Sequence, residues 1–286
     1  MQFPVSSISK LSLEGRDFYV KRDDIIDTYL SGNKYRKLYT LLQTPSKQYN
    51  TIISYGGTQS NAMLAIARMC QDKSWNFYYY TKPLSDMQKA IDSGNFFLAK
   101  KLGMNHIEIA LDEYKNYIAA LRVNLDEKSF IVDQGGATKE AKVGVMVLAK
   151  EIKAANLELK SVATPSGTGT TALFLALALP EFTVYTIPCV GDVEYLKQQM
   201  SALHDIPDNL VILEPKKKYH FAKPYKEFIE IQQNLLKAGI EFDLLYAPSL
   251  WLSLIEQTKE DILYIHSGGV TGNLSMLERY KKKGYY

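Results

Sequence analysis

Short strand-like runs alternate with helix-length segments along almost the whole chain, and this alternation constrains the fold more than any other feature. Residues 51–54 (TIIS) read as a strand that Gly56 and Gly57 turn into a helix over about 59–70. Residues 76–81 (NFYYYT) form an aromatic-rich strand. A helix over 94–102 stops at Gly103, and a strand over 107–110 precedes a helix over 113–121. Residues 129–133 lead to Gly135 and Gly136, and 139–155 carry the apolar spacing of a helix. The second half repeats the theme. Strands over 161–163, 182–188, 210–213 and 263–265 alternate with an apolar helix closed at Pro180 and with helices over 193–203, 228–238 and 273–280. The pattern predicts an α/β architecture of mainly parallel sheets with helices on their faces.

Composition narrows the function classes. The 286 residues suit one large domain or two lobes, at roughly 150 residues per unit. With 34 basic and 31 acidic side chains the net charge is +3, too near neutral for a nucleic-acid surface. Cys70 and Cys189 are isolated thiols without CxxC spacing, which points to a reducing compartment and away from a cysteine-built metal site. Residues 1–10 (MQFPVSSISK) lack the basic start and apolar core of a signal peptide. The run 172–179 (ALFLALAL) falls far short of the ~20 residues that span a bilayer. A cytoplasmic protein with no membrane and no nucleic-acid partner is the expectation.

In α/β folds ligands gather beyond the carboxyl ends of strands. Glycine-rich stretches fall there at 55–61, 165–171 and 266–269, and a fourth at 134–136 follows another strand. Residues 166–171 (SGTGTT) open a helix, where glycine-cleared backbone N–H groups make a phosphate site and Thr168, Thr170 and Thr171 add hydroxyls. The segment has neither a Walker lysine nor a GxGxxG fingerprint, and alone it reads equally as a tight strand–helix turn. Lys34 sits in SGNKYRK, ordinarily a solvated basic patch. A lysine crowded by Arg36 and Lys37 has its ammonium disfavoured, however, and suits attack on an aldehyde. Ser60 and Asn61 alone are ordinary helix caps. Tyr246 alone is equally a packed aromatic, and His266 at a strand end is more often structural than catalytic.

Taken together, these segments resemble one family. Lys21-Arg22-Asp23-Asp24 followed by Gly32-Asn33-Lys34-Tyr35-Arg36-Lys37-Leu38 is similar to the KRDD…GNKxRKL signature of the 1-aminocyclopropane-1-carboxylate (ACC) deaminase and D-cysteine desulfhydrase family. Gly56-Gly57-Thr58-Gln59-Ser60-Asn61 resembles its GGxQSN block. Gln134 to Ala137, Ser166 to Thr171, Tyr219 to Phe221, Asp243 to Tyr246 and His266 to Gly269 follow in family order, so the resemblance covers nearly the whole chain. It implies a pyridoxal 5'-phosphate (PLP) enzyme of fold type II, the tryptophan-synthase-β-like fold. That fold has two open, twisted, mainly parallel sheets flanked by helices, with the cofactor between the lobes. Residues 1–53 with 156–286 are then the larger lobe, and 54–155 the smaller lobe carrying the QSN segment. By the same resemblance Lys34 carries PLP covalently and Asn61 hydrogen-bonds its ring oxygen, while Gly167, Thr168, Gly169 and Thr170 cradle its phosphate. Ser60 and Tyr246 flank the reacting carbon. A homodimer is expected on the same ground.

Three departures bear on the reaction. Ala247 follows the key tyrosine where ACC deaminases carry an acid facing the pyridine nitrogen, and the lysine usual shortly afterwards is absent. Ser267 is the natural substitute. Ala62 replaces the usual polar residue after the SN pair, leaving Ser60, Thr58 or backbone N–H groups to hold the substrate carboxylate. A neutral hydroxyl favours a protonated pyridine less than a carboxylate does, which suits β-elimination of a good leaving group better than cyclopropane opening. The expected activity is therefore release of ammonia and a 2-oxo acid from a small amino acid, nearer to D-cysteine desulfhydrase than to ACC deaminase. The alternatives are serine or threonine dehydration or racemisation on the same fold, or a non-enzymatic protein that binds a phosphorylated ligand.

Overall fold

The computed structural model describes residues 4–30 and 32–286; residues 1–3 of the amino-terminal stretch and Ser31 of SGNKYRK lie outside the described residues. Ten strands are described: β1 Ile8–Leu13, β2 Arg16–Lys21, β3 Thr51–Tyr55, β4 Asn76–Thr81, β5 Met104–Glu108, β6 Ser129–Val132, β7 Ser161–Ala163, β8 Thr183–Thr186, β9 Leu210–Ile212 and β10 Leu263–Ile265. They form a six-stranded sheet in the order β1-β2-β10-β7-β8-β9 and a four-stranded sheet in the order β5-β4-β3-β6. Every pairing is parallel except the β1–β2 hairpin. The expected α/β architecture with mainly parallel sheets is what the chain adopts.

The helices are α1 Gly32–Lys37, α2 Tyr39–Gln43, α3 Asn61–Lys73, α4 Asp86–Lys89, α5 Gly94–Lys101, α6 Tyr114–Val123, α7 Ala141–Ala154, α8 Thr170–Ala178, α9 Val193–Ser201, α10 Lys226–Lys237, α11 Ala247–Gln257 and α12 Asn273–Lys282. Apolar side chains of α7 and α8 pack with the strands of the larger sheet on one face, while α10 and α11 cover the other. The smaller sheet packs α3 and α5 on one face and α6 on the other. Both sheets are thus covered on both sides, as parallel sheets require.

Local sequence explains the elements that carry the site. Ser60 caps α3 by accepting from the Met63 N–H at 3.2 Å, and Ser74 ends that helix in the left-handed region. Met63, Leu64, Ile66 and Met69 are buried, each such side chain contributing about 1.5–3 kcal/mol. Several elements differ from expectation, the β1–β2 hairpin, β5, α11 and α1 among them. Strand β5 runs over Met104–Glu108 rather than 107–110, because its register pairs Met104 with Phe77. Helix α11 was not anticipated; Pro248 reads as a breaker but sits in the first turn, where its missing N–H costs nothing. Helix α1 has no apolar period because, Tyr35 apart, the side chains it buries are Lys34, Arg36 and Lys37.

Candidate active site

A cavity of about 440 Å³ opens where the loops after the strands meet, lined by Lys34, Lys37, Ser60, Asn61, Gly167, Thr168, Tyr246 and Ser267 among others. Most of the residues singled out in the sequence therefore converge. Gly169 and Thr170 lie one layer behind the wall: Thr170 is fully buried and its hydroxyl shares a 2.9 Å hydrogen bond with Thr168. Ala62 lines the cavity, whereas Thr58 is not among its lining residues.

Lys34 reaches the cavity because α1 begins hard against the loop after β10. Gly32 holds φ +60°, and a Cβ there would lie 2.0 Å from the Ser267 carbonyl oxygen, so only glycine allows the approach. Asn33 N–H donates to that same carbonyl at 3.3 Å. Burial lowers the Lys34 ammonium pKa to about 8, with the charge of Asp243 opposing the shift. The cause is therefore desolvation rather than crowding by Arg36. That guanidinium is spent on two carboxylates, donating to Asp23 at 2.8 and 2.9 Å and to Glu151 at 2.6 and 2.8 Å. Lys21 joins the same buried cluster, 2.7 Å from Glu151. The cluster pins α1 to α7 and to the turn after β2.

Several site residues went unassigned in the sequence reading. Lys37 is buried beside the SGTGTT segment, with Nζ donating to Gly135 O at 3.1 Å and to Thr168 Oγ1 at 3.4 Å. Burial and the Lys34 charge hold its pKa well below the usual lysine value. Among the described residues no carboxylate neutralises it. Asp243 is buried, accepts from the Leu245 and Tyr246 N–H groups at 3.0 and 2.7 Å, and leaves Oδ2 without a partner. Burial raises its pKa to about 6. Its signal was positional: an acidic residue three before Tyr246 that fixes the turn entering α11. Tyr79 is buried beneath the GGTQSN loop, donates to Gly57 O at 3.1 Å and lies within hydrogen-bonding reach of Ser60.

Tyr246 packs its ring 5.2 Å from that of Phe221, and a Cβ on Gly167 would stand 3.4 Å from its Cε1. Burial pushes its hydroxyl pKa up, so it stays protonated as a donor. Asp133 is the only acid lining the cavity among the described residues, and it is paired with Arg122 and hydrogen-bonded to Tyr55. His266 is structural. Its Nδ1 accepts from Gly268 N–H at 3.0 Å, which leaves Nε2–H to donate to Glu241 O at 2.8 Å, and burial keeps the ring neutral.

Among the described residues there is no group of three or more His, Cys, Asp and Glu placed to hold a metal, and no helix long and apolar enough to cross a membrane. Cys70 and Cys189 are both buried and free.

No family model matches the chain. The chain is 28% identical to an inferred 1-aminocyclopropane-1-carboxylate deaminase of Thermotoga maritima, with 96% of each chain covered. It is 25% identical to the bifunctional D-cysteine desulfhydrase/1-aminocyclopropane-1-carboxylate deaminase of Arabidopsis thaliana, covering 90% of this chain and 73% of that one. Its fold superposes on the crystal structure of an ACC deaminase homologue with a TM-score of 0.78 at 23% identity, over 97% of this chain and 94% of the other. Full-length similarity, the order of the motifs and the shared architecture agree: over nearly its whole length the chain is similar to proteins named as ACC deaminases and D-cysteine desulfhydrases, and it shares the fold of an ACC deaminase homologue.

Proposed function

We propose that this chain is a PLP-dependent lyase that releases ammonia and a 2-oxo acid from a small amino acid, by β-elimination of the kind a D-cysteine desulfhydrase performs. One observation carries the reading: two buried lysines face one cavity, one with its pKa lowered towards neutrality and the other lacking an anionic partner beside a helix start. The residues fit the cofactor. A phosphate dianion between Lys37 and the first turn of α8 would supply the charge that Lys37 lacks. PLP, when bound, supplies the aldehyde that joins the amine and the electron sink for the reaction.

The remaining steps belong to this chain's side chains. Lys34 would hold the cofactor, and its ε-amine, when free, would be the base positioned for the Cα proton. Gly167, Thr168, Gly169 and Thr170 would shape the phosphate cradle, and Asn61 would donate to the ring oxygen. The start of α3, with Ser60 and the N–H groups of Asn61 and Ala62, suits the substrate carboxylate in the absence of a polar side chain at 62. Ser60 and Tyr246 hold and move protons near the reacting carbon. Ser267 would meet the pyridine nitrogen with a hydroxyl, and Ala247 would offer no carboxylate there. This favours loss of thiolate from Cβ over opening of a cyclopropane ring.

The same reading includes two lobes built on the two sheets, with the cofactor between them. The packing of α7 against α8 supports grouping it with the larger lobe. A homodimer and a cytoplasmic location complete the proposal, both resting on the family likeness and, for the second, on two unpaired thiols.

The test is a substrate panel on purified protein loaded with PLP, in which sulfide and pyruvate appear from D-cysteine and little 2-oxobutyrate from ACC. Production of 2-oxobutyrate from ACC at the higher kcat/KM would overturn the preference. Absence of any 2-oxo acid from either would overturn the reading itself. A pH experiment addresses Lys34 directly. Its reactive form is the free amine, whose fraction grows as pH rises towards about 8. The rate at which apo-protein captures PLP should climb about tenfold per pH unit below that value and level off above it. A rise continuing to pH 10 in stopped-flow absorbance would mean an ordinary, solvated lysine.

A further inference from the structure

The Asn61 amide has two chemically opposite ends, and only one can donate a hydrogen bond into the cavity. Its neighbours decide which. Asn95, 1% exposed at the start of α5, lies 3.3 Å from the backbone carbonyl of Gln59. A carbonyl only accepts, so the Asn95 atom facing it is Nδ2. The same nitrogen stands 2.7 Å from the Asn61 side chain, so the Asn61 atom on that side is Oδ1. On the far side the Thr271 hydroxyl donates to Asn95 Oδ1 at 3.0 Å, which is consistent with that orientation. Asn61 Nδ2 is thereby turned the other way, towards Gly269, where a Cβ would stand 2.2 Å from it. Glycine at φ +84° leaves that nitrogen room, and among the described residues it has no protein acceptor.

We propose that Asn95, backed by Thr271, is a positioning residue that locks Asn61 as a donor towards the ring oxygen of PLP. The inference rests on the reading of Asn61 as the group that meets that oxygen. An inverted Asn61 would set a carbonyl oxygen against an anionic ring oxygen, turning a charge-assisted hydrogen bond into repulsion. The chain of bonds also joins the two sheets, because Asn61 and Asn95 belong to helices on the smaller sheet while Thr271 follows β10 of the larger one.

The experiment uses the full chain, stripped of PLP and titrated back, with the PLP dissociation constant and the visible absorbance maximum as readouts. Asn95→Asp replaces the donor by an acceptor and draws the Asn61 amide nitrogen towards itself. The expected result is PLP binding at least about tenfold weaker, with a displaced absorbance band. Asn95→Ala frees the amide to rotate and should move both readouts the same way by less. Folded Asn95→Asp protein with unchanged PLP affinity and an unchanged band overturns the proposal. Where Asn95→Asp does not fold, Asn95→Ala decides by the same two readouts. Asn61→Asp separates the inference from its premise. If it moves neither readout, the reading of Asn61 fails; if it moves both while Asn95→Asp moves neither, only the role of Asn95 falls.

Discussion

Lys34→Ala should lose turnover by at least about 10³-fold while keeping the fold. The ε-amine has two proposed tasks, holding the cofactor and taking the Cα proton, and nothing on the cavity wall duplicates it. Lys37 is the nearest candidate, but it is tied to Gly135 and Thr168 and faces the proposed phosphate cradle. Stability should barely change. Lys34 Nζ donates only to Asn33 Oδ1, at 2.8 Å, and removing a buried ammonium relieves a desolvation cost. The side chain also ends in an open cavity, so its loss leaves no sealed void. Borohydride treatment followed by mass measurement should fix PLP to the parent protein and not to the variant. A variant that still fixes PLP, or turns over within tenfold of the parent, would mean that another amine holds the cofactor.

Arg36→Ala should cost about 3–5 kcal/mol of stability, the range for removing one member of a buried ion cluster. Asp23 would keep only the Ser6 hydroxyl, at 2.5 Å, and Glu151 only Lys21. Two carboxylates would then share an interior with a single cation. Arg36→Lys should recover little, since one ammonium cannot reproduce four N–H···O bonds in a planar fork. Urea unfolding measures the loss, and a change below about 1 kcal/mol would mean that the cluster does not hold α1. Activity per folded molecule should fall as well, because Lys34 stands two residues earlier on the same short helix.

The parallel sheets were legible because their strands are short apolar runs separated by helical periods. The β1–β2 hairpin was legible in principle and passed over. Leu11, Leu13, Phe18 and Val20 alternate inward, and Glu14 and Gly15 both hold positive φ between the strands, a primed hairpin turn whose glycine is visible in the sequence. Helix α1 was not legible from periodicity, since a face made of lysine and arginine looks solvated until its carboxylate partners, 13 and 115 residues away, are known. Resemblance, rather than pattern, singled out Lys34. Asn95 and Asp243 gave no chemical signal of their own. Each acts by orienting a residue that the motifs did reveal, and orientation is a property of packing.

The pairing of β2 with β10 has a consequence for the order in which this protein matures. Lys21 and Ile265 are neighbours in one sheet, and Gly32 is seated on Ser267, so the socket that holds Lys34 is built from two stretches more than 200 residues apart. During synthesis, at roughly 5–20 residues per second, tens of seconds separate the emergence of those two stretches. The four-stranded sheet, whose strands all lie between Thr51 and Val132, can assemble in that interval from its own contacts. The socket around Lys34 closes only afterwards, so the nascent chain passes the ribosome exit before that side chain is seated in the cavity.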